Sequence, residues 1–122
     1  MRTLTVRIEG DDSFLVRARE AARKVDASGG YQGEEYSFAD LPQLLATFTP
    51  NRWKLIQKLQ EVGPSSLRGL ARALGRDVKR VHEDAAVLIE KGIIERDAQN
   101  KLLVPYANIH IDVQLKTPSA AA

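Results

Sequence analysis

The chain of 122 residues has no cysteine, which excludes a disulfide framework and a metal site built on thiolates. It has two histidines, His82 and His110, and neither has further potential ligands at the spacing of a metal site. The acidic pairs at 11–12 and 34–35 lack a partner base at a defined spacing, and the glycines at 29, 30 and 33 do not match a phosphate-binding loop. We therefore expect no catalytic residue, no metal and no cofactor, and we do not expect an enzyme.

Long apolar runs are also missing from the chain. No segment approaches the ~20 apolar residues that cross a bilayer, and the opening MRTLTVRIEG lacks the apolar block of a signal peptide. We expect a cytoplasmic protein with no membrane partner.

Neither sign of charge dominates, because the formal net charge of the whole chain is +2. The distribution is nevertheless uneven: residues 50–106 contain 11 cations and 7 anions, whereas residues 1–49 contain 6 cations and 8 anions. Basic character concentrated in one segment is typical of a surface that meets nucleic acid.

Residues 65–106 predict a short helix, a tight turn, a longer helix and a two-stranded hairpin. Ser65 or Ser66 is placed to cap the first helix and Asp77 to cap the second. Gly75 ends the first helix, since that position commonly requires a positive φ angle. This order of elements is that of a winged helix-turn-helix, so we expect an α+β fold that contains one.

The cations of this segment predict how it would meet a DNA duplex. An apolar stripe turns one side of the second helix inward, which leaves Lys79 and Arg80 on the outer faces of its N-terminal half. We assign these two side chains to base edges in the major groove. The cations on the preceding helix and turn are assigned to phosphates: Arg68, Arg72 and Arg76.

Four further residues complete the predicted DNA interface. Ser66 lies at the start of the first helix, and Arg96 and Lys101 lie on the hairpin, near the minor groove or its flanking phosphates. Glu83 either accepts a hydrogen bond from a cytosine amino group or pairs with Arg80 or Lys79 on its own helix.

The sequence divides into four regions, and those outside the DNA-binding domain are expected to serve assembly. We expect an N-terminal strand and helix at 1–35, the DNA-binding domain at 36–106, a C-terminal strand at 107–116 that joins the N-terminal sheet, and a disordered tail at 117–122. Within the first of these, the stretch from 28 to 35 is expected to be a loop.

Unpaired edge strands are a liability, so we expect the two terminal strands to pair with each other or with a second copy. We expect a homodimer, which suits a protein that reads inverted half-sites, with a monomer as the alternative.

Three stretches carry a resemblance to a known family: TPNRWKLIQKL, SSLRGLARALGRDVKRVHEDAAVLIEKGIIER and VPYANIHIDVQL. Together they resemble small prokaryotic transcriptional regulators with a MarR-like winged helix, many of which are encoded beside a toxin gene as its antitoxin. The resemblance implies double-stranded DNA binding through the second helix, repression of the protein's own operon and, in many members, neutralisation of a toxin. A basic toxin is expected to dock on the acidic residues 1–49. Asp84, which belongs to the matching pattern, is expected to form an ion pair with Arg52 or Arg76 rather than to contact a base.

Two alternatives remain open at this point. One is a stand-alone MarR-like repressor that responds to a small ligand, although few aromatic residues are available to line a pocket: Tyr31, Tyr36, Phe38, Phe48 and Trp53. The other is a winged-helix module that binds an acidic protein partner and no DNA.

Overall fold

The computed structural model describes residues 2–8 and 33–115, and these form an α+β protein. Its helices are α1 (Leu41–Thr47), α2 (Pro50–Val62), α3 (Leu67–Leu74) and α4 (Val78–Glu90). Its strands are β1 (Thr3–Ile8), β2 (Glu34–Phe38), β3 (Glu95–Arg96), β4 (Leu102–Leu103) and β5 (Asn108–Asp112). The predicted helix near the N-terminus and the predicted disordered tail lie outside the described residues.

The described chain divides into two compact units. Residues 45–107 form a helical unit, and the residues before 45 and after 107 form a unit that contains a sheet. None of the helices in the described ranges is both long and apolar enough to cross a membrane.

The sheet has three parallel strands in the order β2-β1-β5. The two terminal strands therefore pair with each other within one chain, with Leu4 opposite Ile109 and Val6 opposite Ile111. Leu4 and Val6 on the central strand are buried, as a half-buried strand of alternating residues requires.

Strand β2 corrects one expectation from the sequence, because Glu34 and Glu35 lie in a strand and not in a loop. Arg2 donates to the Glu34 carboxylate with an Nη2–Oε1 distance of 2.8 Å, and Arg7 lies 3.5 Å from the Glu35 carboxylate. The two carboxylates of β2 are accommodated because each of them faces an arginine: Arg7 lies on β1, and Arg2 directly precedes it.

The caps of the helical unit follow directly from the sequence. The Thr49 hydroxyl accepts a hydrogen bond from the Arg52 N–H at 3.3 Å, with Pro50 at the first position of α2. Ser66 caps α3 in the same way at 3.0 Å, and the Asp77 carboxylate caps α4 at 3.2 Å. These caps, each worth about 1 kcal/mol, confirm the predicted helix starts.

The core of the helical unit lies where α2, α3 and α4 pack on one another. Its buried side chains are those of Phe48, Leu55, Ile56, Leu59, Leu70, Ala71, Val81, Ala85, Leu88, Ile93, Ile94, Leu102 and Tyr106. Val62 is 51% exposed and Val78 is 39% exposed. Both lie in a terminal turn, where the helix begins or ends at the surface of the core.

The antiparallel strands β3 and β4 follow α4 and form a short hairpin. Leu102 also exchanges backbone hydrogen bonds with Ser65, at 2.9 and 2.8 Å, just before α3 begins. Strand β4 is thereby fixed to the segment that precedes the helix pair.

Candidate functional site

A tight turn joins α3 to α4 and sets the direction in which the second helix leaves. Gly75 has φ 64° and ψ 34°, the left-handed conformation that a side chain disfavours. Its N–H and that of Arg76 donate to carbonyls of the last turn of α3. Asp77 then caps α4, so two residues separate the glycine from the first turn of the next helix.

Four exposed cations lie on the outward sides of these two helices, and we call them the cationic face: Arg68, Arg72, Lys79 and Arg80. Arg68 and Arg72 are four residues apart on α3 and therefore lie on one side of it. Lys79 and Arg80 occupy the first turn of α4, away from its buried residues Val81, Ala85 and Leu88. Within the described ranges, none of the four forms an ion pair, so their charges face solvent.

Arg76 differs from the other predicted phosphate contacts, because it is bound within the protein. Its guanidinium donates to Asp84 with an Nη2–Oδ2 distance of 2.9 Å, and its side chain is 20% exposed. The other carboxylate oxygen of Asp84 accepts from Arg52 Nε at 3.1 Å. Arg52 also donates to the carbonyls of Ala46 and Thr47, so it caps the end of α1.

The structure thus contains both ion pairs that were expected as alternatives for Asp84. One carboxylate on α4 holds an arginine from the α3–α4 turn and another from the first turn of α2. The network fixes the N-terminal half of α4 relative to the elements before it. Arg76 is therefore a member of this network. By helping to fix α4, it also holds the residues of the cationic face on that helix in place.

Glu83 is exposed on α4 and forms no ion pair with Lys79 or Arg80, the two partners it could reach on that helix. It borders an open cleft of about 620 Å³, which the beginnings of α2 and α4 line together. Thr49 and Asn51 contribute to this cleft and were not predicted as site residues. Thr49 is the N-cap of α2, and it lines the same cleft as Lys79 and Arg80 because α2 packs on α4.

The hairpin carries the remaining predicted residues. Arg96 donates to the side chain of Asn100 at 3.2 Å, and Lys101 is exposed just after the turn. The Asp97 carboxylate accepts from the N–H groups of Gln99 and Lys101, each at 2.9 Å, and holds the turn closed. Ser66 lies at the start of α3, where its hydroxyl is engaged as the helix cap.

A second cleft, of about 250 Å³, lies between the end of α2 and the segment after β4. It is lined by Leu59, Gln60, Gly63, Pro64 and residues 103–107. Of the aromatic residues suggested for a ligand pocket, Trp53 instead stacks on Phe48 at 4.5 Å and Tyr36 contacts Phe38 at 4.9 Å. Among the residues that the structure describes, no three His, Asp or Glu side chains cluster in a way that would hold a metal ion.

A family model described as HVO_A0114 matches residues 47–111, more than half of the chain, and these span the helices α2 to α4, the hairpin and most of β5. No curated protein and no solved structure matches the chain.

Proposed function

The chain belongs to the HVO_A0114 family, and we propose from the residues of the matched region that it is a sequence-specific double-stranded DNA-binding regulator with a MarR-like winged helix-turn-helix. In this proposal α3 and α4 are the helix-turn-helix, and the β3–β4 hairpin is the wing. The observation that carries the proposal is the cationic face, four exposed cations without an ion pair on the outward sides of two adjoining helices.

Charge supports nucleic acid as the partner of this face. An exposed cation that no carboxylate neutralises keeps its full attraction for phosphate, and each phosphate that it neutralises releases counterions from the duplex. Arg68 and Arg72 lie on the first helix of the pair, which crosses the DNA backbone in this class of protein, so we assign them to phosphates.

The position of Lys79 and Arg80 supports base recognition. A recognition helix places its N-terminal residues against base edges, and these two cations occupy the first turn of α4. Arginine and lysine pair best with the O6 and N7 atoms of guanine, so we propose that the recognised sequence contains guanine at the positions they reach. Glu83, one turn further along and without an ion pair, would accept from a cytosine amino group in the same groove.

The hairpin would supply additional backbone contacts. Lys101 is exposed beside a turn that Asp97 holds closed, so its side chain projects from a fixed backbone. Arg96 is partly engaged by Asn100 and would contribute less than Lys101.

The test is binding of the full chain to the DNA directly upstream of its own coding sequence and to a scrambled duplex of equal length, over a salt series. Tighter binding to the upstream DNA, with affinity falling steeply as salt rises, would support an autoregulating DNA-binding protein. Equal and weak binding to both duplexes would leave only non-specific attraction. Binding to neither would favour a winged-helix module for an acidic protein partner.

Neutralisation of a toxin is a separate proposal that rests on the resemblance to MarR-like antitoxins. Its predicted docking region, residues 1–49, includes Glu34, which faces Arg2 within the sheet, and Glu35, which faces Arg7. Removal of residues 1–35 would not test it cleanly, since that deletion takes away the central strand β1 and leaves β5 without its neighbour. Co-expression of the intact chain with the products of neighbouring genes, followed by co-purification, tests the proposal without disturbing the sheet.

A further inference from the structure

Strand β5 lies at one edge of the sheet and carries exposed apolar side chains. Within the described ranges it pairs with β1 alone. Ile111 is 39% exposed and Leu115, just beyond the strand, is 80% exposed. An edge strand with accessible backbone groups and apolar side chains is a template for another strand.

The hydrogen bonds of β5 show which residues face that open edge. The N–H of Asn108 donates to the carbonyl of Arg2, on the β1 side. Backbone groups alternate between the two sides of a strand, so those of residues 110 and 112 also face β1. The N–H and C=O groups of residues 109 and 111 therefore point outward.

We propose that a second copy of this chain pairs with β5 in antiparallel orientation, with the two copies of Ile111 opposite each other on a two-fold axis. The backbone permits this register, because Ile111 meets the partner's Ile111 through outward-facing groups. Ile109 then meets the partner's Val113, which directly follows β5, so the pairing would extend the strand by one residue. Apolar side chains then meet on one face of the joined sheet, and polar side chains meet on the other. The result is a continuous six-stranded sheet in the order β2-β1-β5 followed by β5-β1-β2 of the partner.

Charge complementarity selects this register over its neighbours. With Ile111 on the axis, His110 faces the partner's Asp112 twice by symmetry, and Asn108 faces the partner's Gln114. Asp112 already binds Arg7 of its own chain, so its carboxylate would lie between two cationic or donor groups. Centring the axis on His110 replaces both His110–Asp112 pairs by one pair of histidines. Centring it on Asp112 places two carboxylates opposite each other, which is unfavourable.

Changing the register by one residue, which differs from moving the axis by one residue, is excluded. It would pair outward-facing backbone groups of one strand with groups of the other strand that face β1. It would also bring the apolar face of one sheet beside the polar face of the other. The inference depends on the sheet alone, so it stands or falls separately from DNA binding.

Single cysteines give a direct test, because the native chain has none. Directly opposite residues in a hydrogen-bonded antiparallel pair have Cα atoms ~5.5 Å apart, within the range that a disulfide bridges. We expect Ile111→Cys to form a covalent dimer under mild oxidation at least about tenfold faster than Val62→Cys, an exposed position on α2, since pairing raises the local thiol concentration. His110→Cys should react more slowly than Ile111→Cys, because its copies would be diagonal neighbours.

The oligomeric state of the native chain is measured alongside by light scattering over a concentration series. We expect a dimer, which Ile111→Lys converts to a monomer with an unchanged circular dichroism spectrum, while Val62→Lys stays dimeric. A monomeric native chain would overturn the proposal, as would Ile111→Cys reacting no faster than Val62→Cys. Faster reaction of His110→Cys would overturn the proposed register.

Discussion

Asp84 binds the Arg76 guanidinium through an Nη2–Oδ2 distance of 2.9 Å, and both side chains are at least four-fifths buried. The same carboxylate binds Arg52, whose side chain is 18% exposed. Two arginines, one from α2 and one from the α3–α4 turn, thus share one acidic partner on α4. Removing that partner would leave two partly buried cations without compensation.

We predict that Asp84→Ala lowers the free energy of unfolding by about 2 kcal/mol, because it leaves charged donors unsatisfied. Urea denaturation of the full chain measures the change. Glu83→Ala, the adjacent residue on the exposed side of the same helix, is the matched control and should stay within about 0.5 kcal/mol of the native value. If the two variants have equal stability, the network does not stabilise the helix pair.

Arg80→Ala should reduce sequence discrimination. A base contact is worth about 1–3 kcal/mol, so affinity for the upstream DNA should fall by that amount while affinity for a scrambled duplex changes less. Competition binding with both duplexes measures the ratio. An equal loss on both would reassign Arg80 to a phosphate.

Arg72→Ala should have the opposite signature. A phosphate contact carries no sequence information, so we expect weaker binding to every duplex and a salt slope smaller by about 0.9. Fluorescence anisotropy over a salt series gives the slope. A loss confined to the upstream sequence would place Arg72 against a base.

Lys101→Ala tests the hairpin. We expect a modest, sequence-independent loss of affinity and a small reduction of the salt slope, since the contact proposed for this side chain is to the DNA backbone. Asn100→Gly is a companion variant that removes no cation: glycine keeps the φ of 64° at that position, and loss of the hydrogen bond from Arg96 frees that guanidinium, so affinity should not fall. If Lys101→Ala binds like the native chain, the hairpin lies away from the duplex.

Local features made the helical unit predictable. Thr49, Ser66 and Asp77 each cap a helix through their own side chain, and Gly75 adopts the left-handed conformation that ends α3. These features depend on residues within one turn of each other, which is the range that sequence patterns report.

Features that depend on distant residues were harder to predict. Glu34 and Glu35 looked like loop residues because the arginines that face them, Arg2 and Arg7, lie about thirty residues earlier in the sequence. Arg76 looked like any other exposed cation of its segment, and its largely buried side chain became visible only with the fold. Pairing of Asp84 with both arginines, and the closeness of Thr49 to Lys79, likewise arise from helix packing.

The central claim is that the first turn of α4 meets DNA, and a pair of matched double variants tests it most directly. Lys79→Ala with Arg80→Ala removes two cations from that turn, whereas Lys54→Ala with Lys91→Ala removes two from α2 and from the far end of α4, ~18 Å along the helix from Lys79. Two base contacts of at least about 1 kcal/mol each predict that the first variant binds the upstream DNA at least about 30-fold more weakly than the native chain. The second should stay within about threefold of native, as expected for a loss of general charge attraction. Equal losses in the two variants would contradict the account.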